Sequence, residues 1–563
     1  MWGIRDGGRV LVSGTITAPS LGRSTPITRG VPLVKYAWAV LIEPAGLDDE
    51  EEDEEWTDLD PDVVADPERQ WDIAKMTVKE ALGCWKGDKA KEAMDEEMRS
   101  LIKHGDVGFV EHEKARLVVK GFTQVAGVDY EETYAPMGSY VTARVLLAIA
   151  AALDLDLMQL DVKKAFLHSL VDRELYMEHP SYYQDGTPHV CKSVKSMYGL
   201  KQSPMLWYEA LDGVLLGARW KKSQVDEALY FKSDAKEEMS WLLVYVDDFL
   251  APSRSQSMLI RDRPTRRLWL HQTACVDKVH RLFFDGEQPL RVPYTLLSSD
   301  PFSVQTFEDV GWQSRQEEKY PQKVGSLQFA ACTTRPDISF ACSKLGSGQT
   351  LRSDQHWKEL DWCLAYLVGS KDVALEFGGG PESLELVGYA DADDAGDKQN
   401  KTSTGGYVFV LGGAAVSWAS QRIRCATFSS TKSEYVAAVE AGKEAHRLRF
   451  LLAEFQLLRS EEPTTLFVEN SSAISVACSL GLKGSLKHME RHHMWLQHMV
   501  KRRKLQLQYI PTSEQPADYL TKALHFPAFS RCFEAVGQGS VRGPYDSKGP
   551  REAFDLAGRR LTT

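Results

Sequence analysis

The sequence predicts an α+β architecture divided among several domains. With 563 residues, 43% of them hydrophobic, the chain has room for about two to four packed cores. In the first half, apolar strand patterns run into aspartates, at Asp161 in QLDV and at Asp247 and Asp248 in YVDD. In the second half, from Leu386, the periodicity reads strand, strand, strand, long helix, strand, helix, helix, strand, helix, a mixed order suited to a sheet covered by helices.

Residues 1–47 hold one strand-like stretch, RVLVSGTIT, among turn residues, and carry no motif that implies chemistry. From Asp48 to Glu68 there are thirteen acids and no base; such a block repels itself and stays solvated, so 48–71 reads as a disordered acidic linker. An amphipathic helical pattern follows (KEAMDEEMRSLIKHG), then a basic strand-like segment (KARLVVKGFTQ), then a helical run over Val141–Leu153. After the strand pattern MSWLLVYVDDFLA at 239–251, an irregular arginine-rich stretch (Arg254, Arg261, Arg263, Arg266, Arg267) is where a domain break is expected. Over 320–375 the apolar positions recur at intervals of three and four, which predicts a connecting helical layer. The later strands are expected at GYVFVLGG, AVSWASQ, TTLFVEN and LQLQYIP, with the long helix over Ser429 to Leu457.

The net charge of −12 argues against a polyanion binder only while the acidic run is counted; without its thirteen charges the rest of the chain stands at +1. Nine scattered cysteines with no C-x-x-C pair point to a reducing compartment and away from zinc. No apolar run approaches the roughly 20 residues of a membrane span, and MWGIRDGGRV lacks the features of a signal peptide. A soluble intracellular protein with no membrane partner is expected, in cytoplasm or nucleus without distinction.

Phosphoryl transfer with hard divalent cations asks for several carboxylates projecting from rigid strand ends, which suits Asp161 and Asp247. A lone DD is more often a solvated turn; the combination with Asp161 is the stronger signal. KARLVVKGFTQ, QLDVKKAFLHS, ELYMEHP, SMYGLKQSPMLWYEAL and YVDD stand in the order of the copia-type reverse transcriptases, and residues 72–253 resemble the fingers and palm of that family. The resemblance implies that Asp161, Asp247 and Asp248 are catalytic, with Asp161 and Asp247 as metal ligands. It also implies that Lys114 and Arg116 contact an incoming deoxynucleoside triphosphate, that Phe166 excludes a ribose 2′-hydroxyl, and that Gly199 and Gln202 line the nucleotide site. Taken singly, Phe166 also fits a core position, Lys114 and Arg116 solvated strand charges, and Gly199 an ordinary turn.

Two departures from the family are losses. Only DVGFVEHE stands where a further fingers hairpin belongs, and a helix and strand pair are missing between YVDDFLAPSRS and LWLHQTACVDKVHRLF. A domain stable by about 5–15 kcal/mol absorbs unpaired strand edges poorly. The fingers and palm therefore read as truncated, 254–385 as a remnant of thumb and connection, and polymerase activity as weak or absent.

In the second half, GYADADDAGD puts Asp391 at a strand end and SSTKSEYVA puts Glu434 in the first turns of a helix. Asp391, Asp393 and Gly396 match the opening of an EF-hand loop, but Ala395 at the fifth position and Thr402 in place of the bidentate Glu speak against calcium. Asp393, Asp394 and Asp397 then read as solvated loop acids. GYADADDAGD, STGGYVF, VSWASQ, SSTKSEYVAA, FVENSSAI, KHMERHHMWLQ and PADYLTKAL stand in the order of the copia-type RNase H, so residues 386–525 resemble that domain, with 526–563 as a tail.

That resemblance implies an RNase H-like mixed-sheet domain whose catalytic, metal-binding carboxylates are Asp391, Glu434, Glu469 and Asp518, with His488 in a nearby catalytic loop. It implies two magnesium ions per active site, manganese being the alternative, and RNA template, DNA primer and RNA–DNA hybrid as partners. Where the family has Asp, this chain has Glu469, one methylene longer. His492, His493 and His498 read as surface helix positions. Lys501, Arg502, Arg503 and Lys504 either contact the hybrid backbone or answer the negative end of a helix dipole.

Two function classes follow. One is a retroelement polymerase and hybrid ribonuclease with the RNase H better preserved, without the protease and integrase of the same polyprotein. The other is a non-catalytic relic that binds nucleic acid or has no activity.

Overall fold

The computed structural model describes residues 42–43, 118–157, 160–162, 164–177, 191–233, 239–245, 259–284, 319–347, 354–394, 402–423, 429–457, 462–479 and 490–541. The RVLVSGTIT strand, the acidic linker, the KEAMDEEMRSLIKHG helix and the C-terminal tail beyond 541 lie outside these residues. The described residues separate into two units, one drawn from 40–138 and 158–253, the other from 139–157 and from Arg254 onward. Among the described residues no helix is long and apolar enough to cross a membrane.

The described elements open with a two-residue strand, β1 (Ile42–Glu43), and helix α1 (Tyr140–Leu153). The run YVTARVLLAIAAAL is rich in the best helix formers, starts where the Ser139 side chain accepts from the Val141 N–H, and stops at Asp154, which turns left-handed at φ 54°. Residues from Thr142 to Ala152 are all buried, as befits a helix apolar on most faces. Its one buried base, Arg144, donates from Nε to Val416 O (2.8 Å) and from Nη1 to Cys332 O (2.7 Å) and Thr333 O (2.9 Å). These bonds make α1 part of the second unit, although its sequence lies between segments of the first.

In the first unit, β2 (Leu160–Asp161) pairs in parallel with β1, and β3 (Leu170–Met177) pairs antiparallel with β4 (Cys191–Lys195). Helix α2 (Ser203–Gly217) follows, then the antiparallel sheet β5 (Lys221–Lys222), β6 (Leu229–Ser233), β7 (Met239–Leu243). Leu167, Leu175, Met197 and Leu200 form one apolar cluster, with Val119 packed on it. The described part of the basic segment, Val118 to Gln124, is not a strand. Val119 donates to Tyr198 O (2.9 Å) and the chain then tightens into a 3-10 turn at Gly121–Thr123. Two glycines allow this: a Cβ on Gly121 would stand 1.8 Å from Gly199 O, and one on Gly199 2.0 Å from Val119 O.

The second unit resumes with a hairpin, β8 (Leu259–Asp262) and β9 (Arg267–His271), where the arginine-rich sequence suggests irregular chain. The arginines mask an apolar strand: Leu268, Trp269 and Leu270 are buried, Arg266 makes the turn at φ 53°, and Arg261 pairs with Asp154 at 2.9 Å. The helical layer comprises α3 (Thr273–Phe284), α4 (Lys319–Thr333), α5 (Ser339–Ser347) and α6 (Asp354–Gly369), and β10 (Val373–Phe377) returns the chain to β9.

The remaining elements are β11 (Val387–Asp393), β12 (Thr404–Leu411), β13 (Ala414–Arg422), α7 (Ser430–Glu454), β14 (Thr464–Val468), α8 (Ser471–Cys478), α9 (Glu490–Lys501), β15 (Leu505–Tyr509), α10 (Phe526–Ala535) and β16 (Gln538–Ser540). Five strands form a mixed sheet in the order β13-β12-β11-β14-β15, antiparallel through β11, β12 and β13 and parallel from β11 through β14 to β15. This is the RNase H-like α/β order expected. A second sheet, β16-β10-β9-β8, joins residues 538–540 to the connecting region. α7 packs across β11 and β12, and a 3-10 segment, Pro516–Leu520, packs against the same two strands.

Candidate active site

Asp391 is near the end of the central strand β11, opposite Gly406 of β12, and is 1% exposed. Glu469 directly follows β14, the neighbour that runs parallel to β11, so parallel pairing brings both strand ends to the same edge. Asp518 comes from the 3-10 segment Pro516–Leu520. One carboxylate oxygen from each of Asp391, Glu469 and Asp518 lies within 4.8 Å of the others. Three acids from three parts of the sequence thus meet at one point.

Glu434, in the first turns of α7, is buried beside them. Its Oε2 is buried with no hydrogen-bond partner. Burial first, then the charges of Asp391 and Glu469, hold its carboxyl far above the usual range, against a partial offset from the Ala392 N–H. Asp518 is pushed up for the same reasons, burial and the charge of Asp391, with Lys522 working the other way. A cation would relieve both, so the donor set fits a hard divalent ion.

Three further side chains, not singled out in the sequence, hold these acids. The Thr521 hydroxyl donates to Asp391 Oδ2, and the Thr512 hydroxyl to Glu469 Oε1. Lys522 Nζ is 3.0 Å from Asp518 Oδ1 and 3.8 Å from Asp391 Oδ2. For Thr521 and Lys522 the signal was the spacing of three and four residues from Asp518 in PADYLTKAL. For Thr512 no local pattern pointed to Glu469, 43 residues away.

The neighbouring acids agree with the expectation against calcium, and depart in part from that of solvated loop acids. Asp391, Ala392 and Asp393 pair in regular register with Gly406, Gly405 and Thr404, so the stretch is strand and not the opening of a calcium loop. Asp393 is half-buried, and burial raises its carboxyl. Asp394 accepts from Ser433 Oγ (2.6 Å) and Ser403 Oγ (3.1 Å), which fastens the strand end to α7; it is not merely a solvated acid. His498 and the run Lys501 to Lys504 are exposed, the latter at the C-terminal end of α9. His488 and Asp397 lie outside the described residues.

In the first unit, Lys114, Arg116, Asp247 and Asp248 lie outside the described residues, and of Asp161 only the backbone, in β2, is described. Phe166 is buried, its ring edge-on to Tyr198 at 4.9 Å. Gly199 has φ +88° and meets the backbone of Val119. Gln202 is fully buried: its Nε2 donates to Asp129 O (3.1 Å) and its Oε1 accepts from Gln124 Nε2 (3.0 Å), while Gln124 Oε1 accepts from the Lys201 N–H (2.8 Å). Gln202 thereby fixes the 121–130 loop.

Comparison with known proteins shows the family to which the chain belongs. The family model for reverse transcriptase (RNA-dependent DNA polymerase) matches residues 91–265. The retrovirus-related Pol polyprotein from transposon TNT 1-94 of Nicotiana tabacum is 34% identical over 521 residues, 82% of this chain and 39% of that protein. The Pol polyprotein from transposon RE2 of Arabidopsis thaliana is 30% identical over 462 residues, 77% of this chain and 31% of that one, so the chain spans less than half the length of these two relatives. The transposon Ty5-1 protein of Saccharomyces cerevisiae is 30% identical over 312 residues, 51% of this chain and 100% of its own length. Among solved structures, the N-terminal RNase H domain of a Mycobacterium tuberculosis protein covers 27% of the chain and 99% of itself at 14% identity and TM-score 0.20. A foamy viral protease-reverse transcriptase in complex with double-stranded DNA covers 64% and 62% at 13% identity and TM-score 0.30. The assignment rests on the sequence relatives: the chain belongs to the Pol polyproteins of copia-type retrotransposons, with a reverse-transcriptase region followed by an RNase H-like domain.

Proposed function

We propose that the RNase H-like domain hydrolyses the RNA strand of an RNA–DNA hybrid and that it is the better preserved activity of the chain. The observation that carries this reading is the convergence of Asp391, Glu469 and Asp518 within 4.8 Å, beside a buried Glu434 whose Oε2 has no partner. These four side chains would hold two magnesium or manganese ions, which when bound activate a water and neutralise charge on the phosphate. The chain's own groups do the positioning. Thr521 fixes the rotamer of Asp391, Thr512 that of Glu469, and the strands β11 and β14 set the separation of their ends. Lys501 to Lys504 are exposed and available to the hybrid backbone, and the 2′-hydroxyls would mark the strand to be cut. His488 is proposed for the catalytic loop.

The polymerase half, proposed as 72–253 with Asp161, Asp247 and Asp248 as its acids and deoxynucleoside triphosphates as substrates, would be weak or inactive because of its two missing segments. Boundaries at 254–385 for the connection and 386–525 for the RNase H domain are proposed on the same sequence grounds.

The test uses the full chain, since α1 and the connecting layer are bonded to the RNase H sheet. Magnesium-dependent cutting of a labelled hybrid, reduced at least about a hundredfold in Asp391→Asn, is expected. Equal cutting by that variant overturns the reading, and no cutting by either protein favours the non-catalytic relic. Primer extension on an RNA template that vanishes in Asp247→Asn would overturn the assignment of a failed polymerase.

A further inference from the structure

Lys522 is the one cation among the described residues that forms ion pairs with Asp391 or Asp518, and it pairs with both. It follows Asp518 by four residues, just past the end of the short segment that carries that acid, and Thr521, which locks Asp391, is its immediate neighbour. One five-residue stretch, Asp518 to Lys522, therefore supplies an acid of the cluster, the hydroxyl that orients a second acid, and a positive charge between the two. The lysine side chain is 33% exposed, so its stem is held while its head keeps access to water.

Its ammonium stands between the two carboxylates, 3.0 Å from Asp518 Oδ1 and 3.8 Å from Asp391 Oδ2. Without a cation, two aspartates that are 1% and 6% exposed would face each other and Glu469 uncompensated. A lysine tethered beside them does not diffuse away, so it neutralises the cluster at high effective concentration.

We propose that Lys522 is the resident counter-cation of the carboxylate cluster, holding Asp391 and Asp518 together before a divalent ion arrives and competing with that ion for the same oxygens. This rests on the metal-dependent reading of the site. Lys522 is accordingly a positioning residue: it sets how much magnesium the site requires, and it keeps the acids assembled while the site is empty of metal.

The measurement is made on the full chain in two parts, with Lys522→Met to remove the charge and keep the stem, and Lys522→Arg to restore the charge. In chelator, thermal unfolding of Lys522→Met is expected several degrees below wild type, with Lys522→Arg close to wild type. In a magnesium titration followed by calorimetry, Lys522→Met is expected to bind about tenfold more tightly, equivalent to about 1.4 kcal/mol of relieved competition. Identical melting of all three proteins in chelator overturns the proposal whether or not RNA is cut. Weaker magnesium binding by Lys522→Met also overturns it, since the lysine would then assist the ion instead of competing. If no protein binds magnesium, the metal-dependent reading fails by itself, and the chelator melts still decide whether Lys522 holds the acids.

Discussion

Arg335 and Asp337 face each other almost wholly buried, with Nε 2.9 Å from Oδ1 and Nη2 2.8 Å from Oδ2. Asp337 also accepts from Tyr366 Oη (2.9 Å) and Gln538 Nε2 (2.8 Å), and Arg335 Nη1 donates to Ser370 O (3.0 Å). The pair thus ties the 3-10 segment Pro336–Ile338 to α6 and to β16, more than two hundred positions later in the sequence. Deleting one partner of a buried pair strands the other charge, at about 3–5 kcal/mol. Asp337→Ala is expected to lower the stability of the second unit by that amount, read as a lower urea midpoint. A loss under about 1 kcal/mol would show the network to be dispensable.

Arg144 makes a second long-range tie. Its guanidinium caps the carbonyls of Val416, Cys332 and Thr333 and lies 3.9 Å from the centre of the Trp418 ring. Removing it leaves the buried Val416 and Thr333 carbonyls, and the partly buried Cys332 carbonyl, to find new donors, a buried acceptor costing about 1–3 kcal/mol if none is found. Arg144→Ala is expected to destabilise by about 3 kcal/mol or more and to raise hydrogen exchange in β13. Arg144→Lys should recover only part, because an ammonium lacks the planar fork. Exchange in β13 that stays at wild-type rates would separate α1 from the stability of the sheet.

Gly199 makes a prediction for the first unit. A Cβ there would sit 2.0 Å from Val119 O, at a φ of +88° that L side chains rarely adopt. Gly199→Ala is expected to cost about 2 kcal/mol or more and to free the turn at Gly121–Thr123. Limited proteolysis should then cut near Phe122 sooner than in wild type; unchanged cutting would mean that the loop is held by Gln202 alone.

These residues also mark what the sequence makes legible. The five-stranded sheet was readable because its strands and α7 have clean periodicities, and Asp391 and Glu434 were readable because each ends or begins an element. The β8–β9 hairpin was not, since four of its nine strand residues are charged or histidine and the turn arginines imitate a loop. The placement of α1 was also hidden: periodicity gives a helix over 141–153, but long-range ties such as the Arg144 bonds and the Arg261–Asp154 pair say which unit it completes. Thr512 escaped for a similar reason, because parallel pairing of β14 and β15 brings distant residues together without any local pattern.

Glu469 is where the geometry changes an expectation. From chain length alone, an acid one methylene too long should reach about 1.5 Å past its place, and misplacements of about 1 Å can cost a hundredfold in rate, so shortening it to Asp should help. The surroundings say otherwise. Glu469 already brings an oxygen within 4.8 Å of those of Asp391 and Asp518, and the Thr512 hydroxyl donates to its Oε1. β14 cannot shift toward the site to follow a shorter side chain, because it is held between β11 and β15. Glu469→Asp is therefore expected to lose the Thr512 bond, to raise the magnesium needed for half-maximal cutting, and to slow hybrid cleavage about tenfold. Thr512→Val should change both quantities in the same direction, and the double variant should be little worse than either single one, since the two act through one contact. Initial rates on a labelled hybrid across a magnesium titration provide the comparison. A faster Glu469→Asp, or fully additive losses, would mean that Thr512 does not secure the longer acid and that the site still favours aspartate.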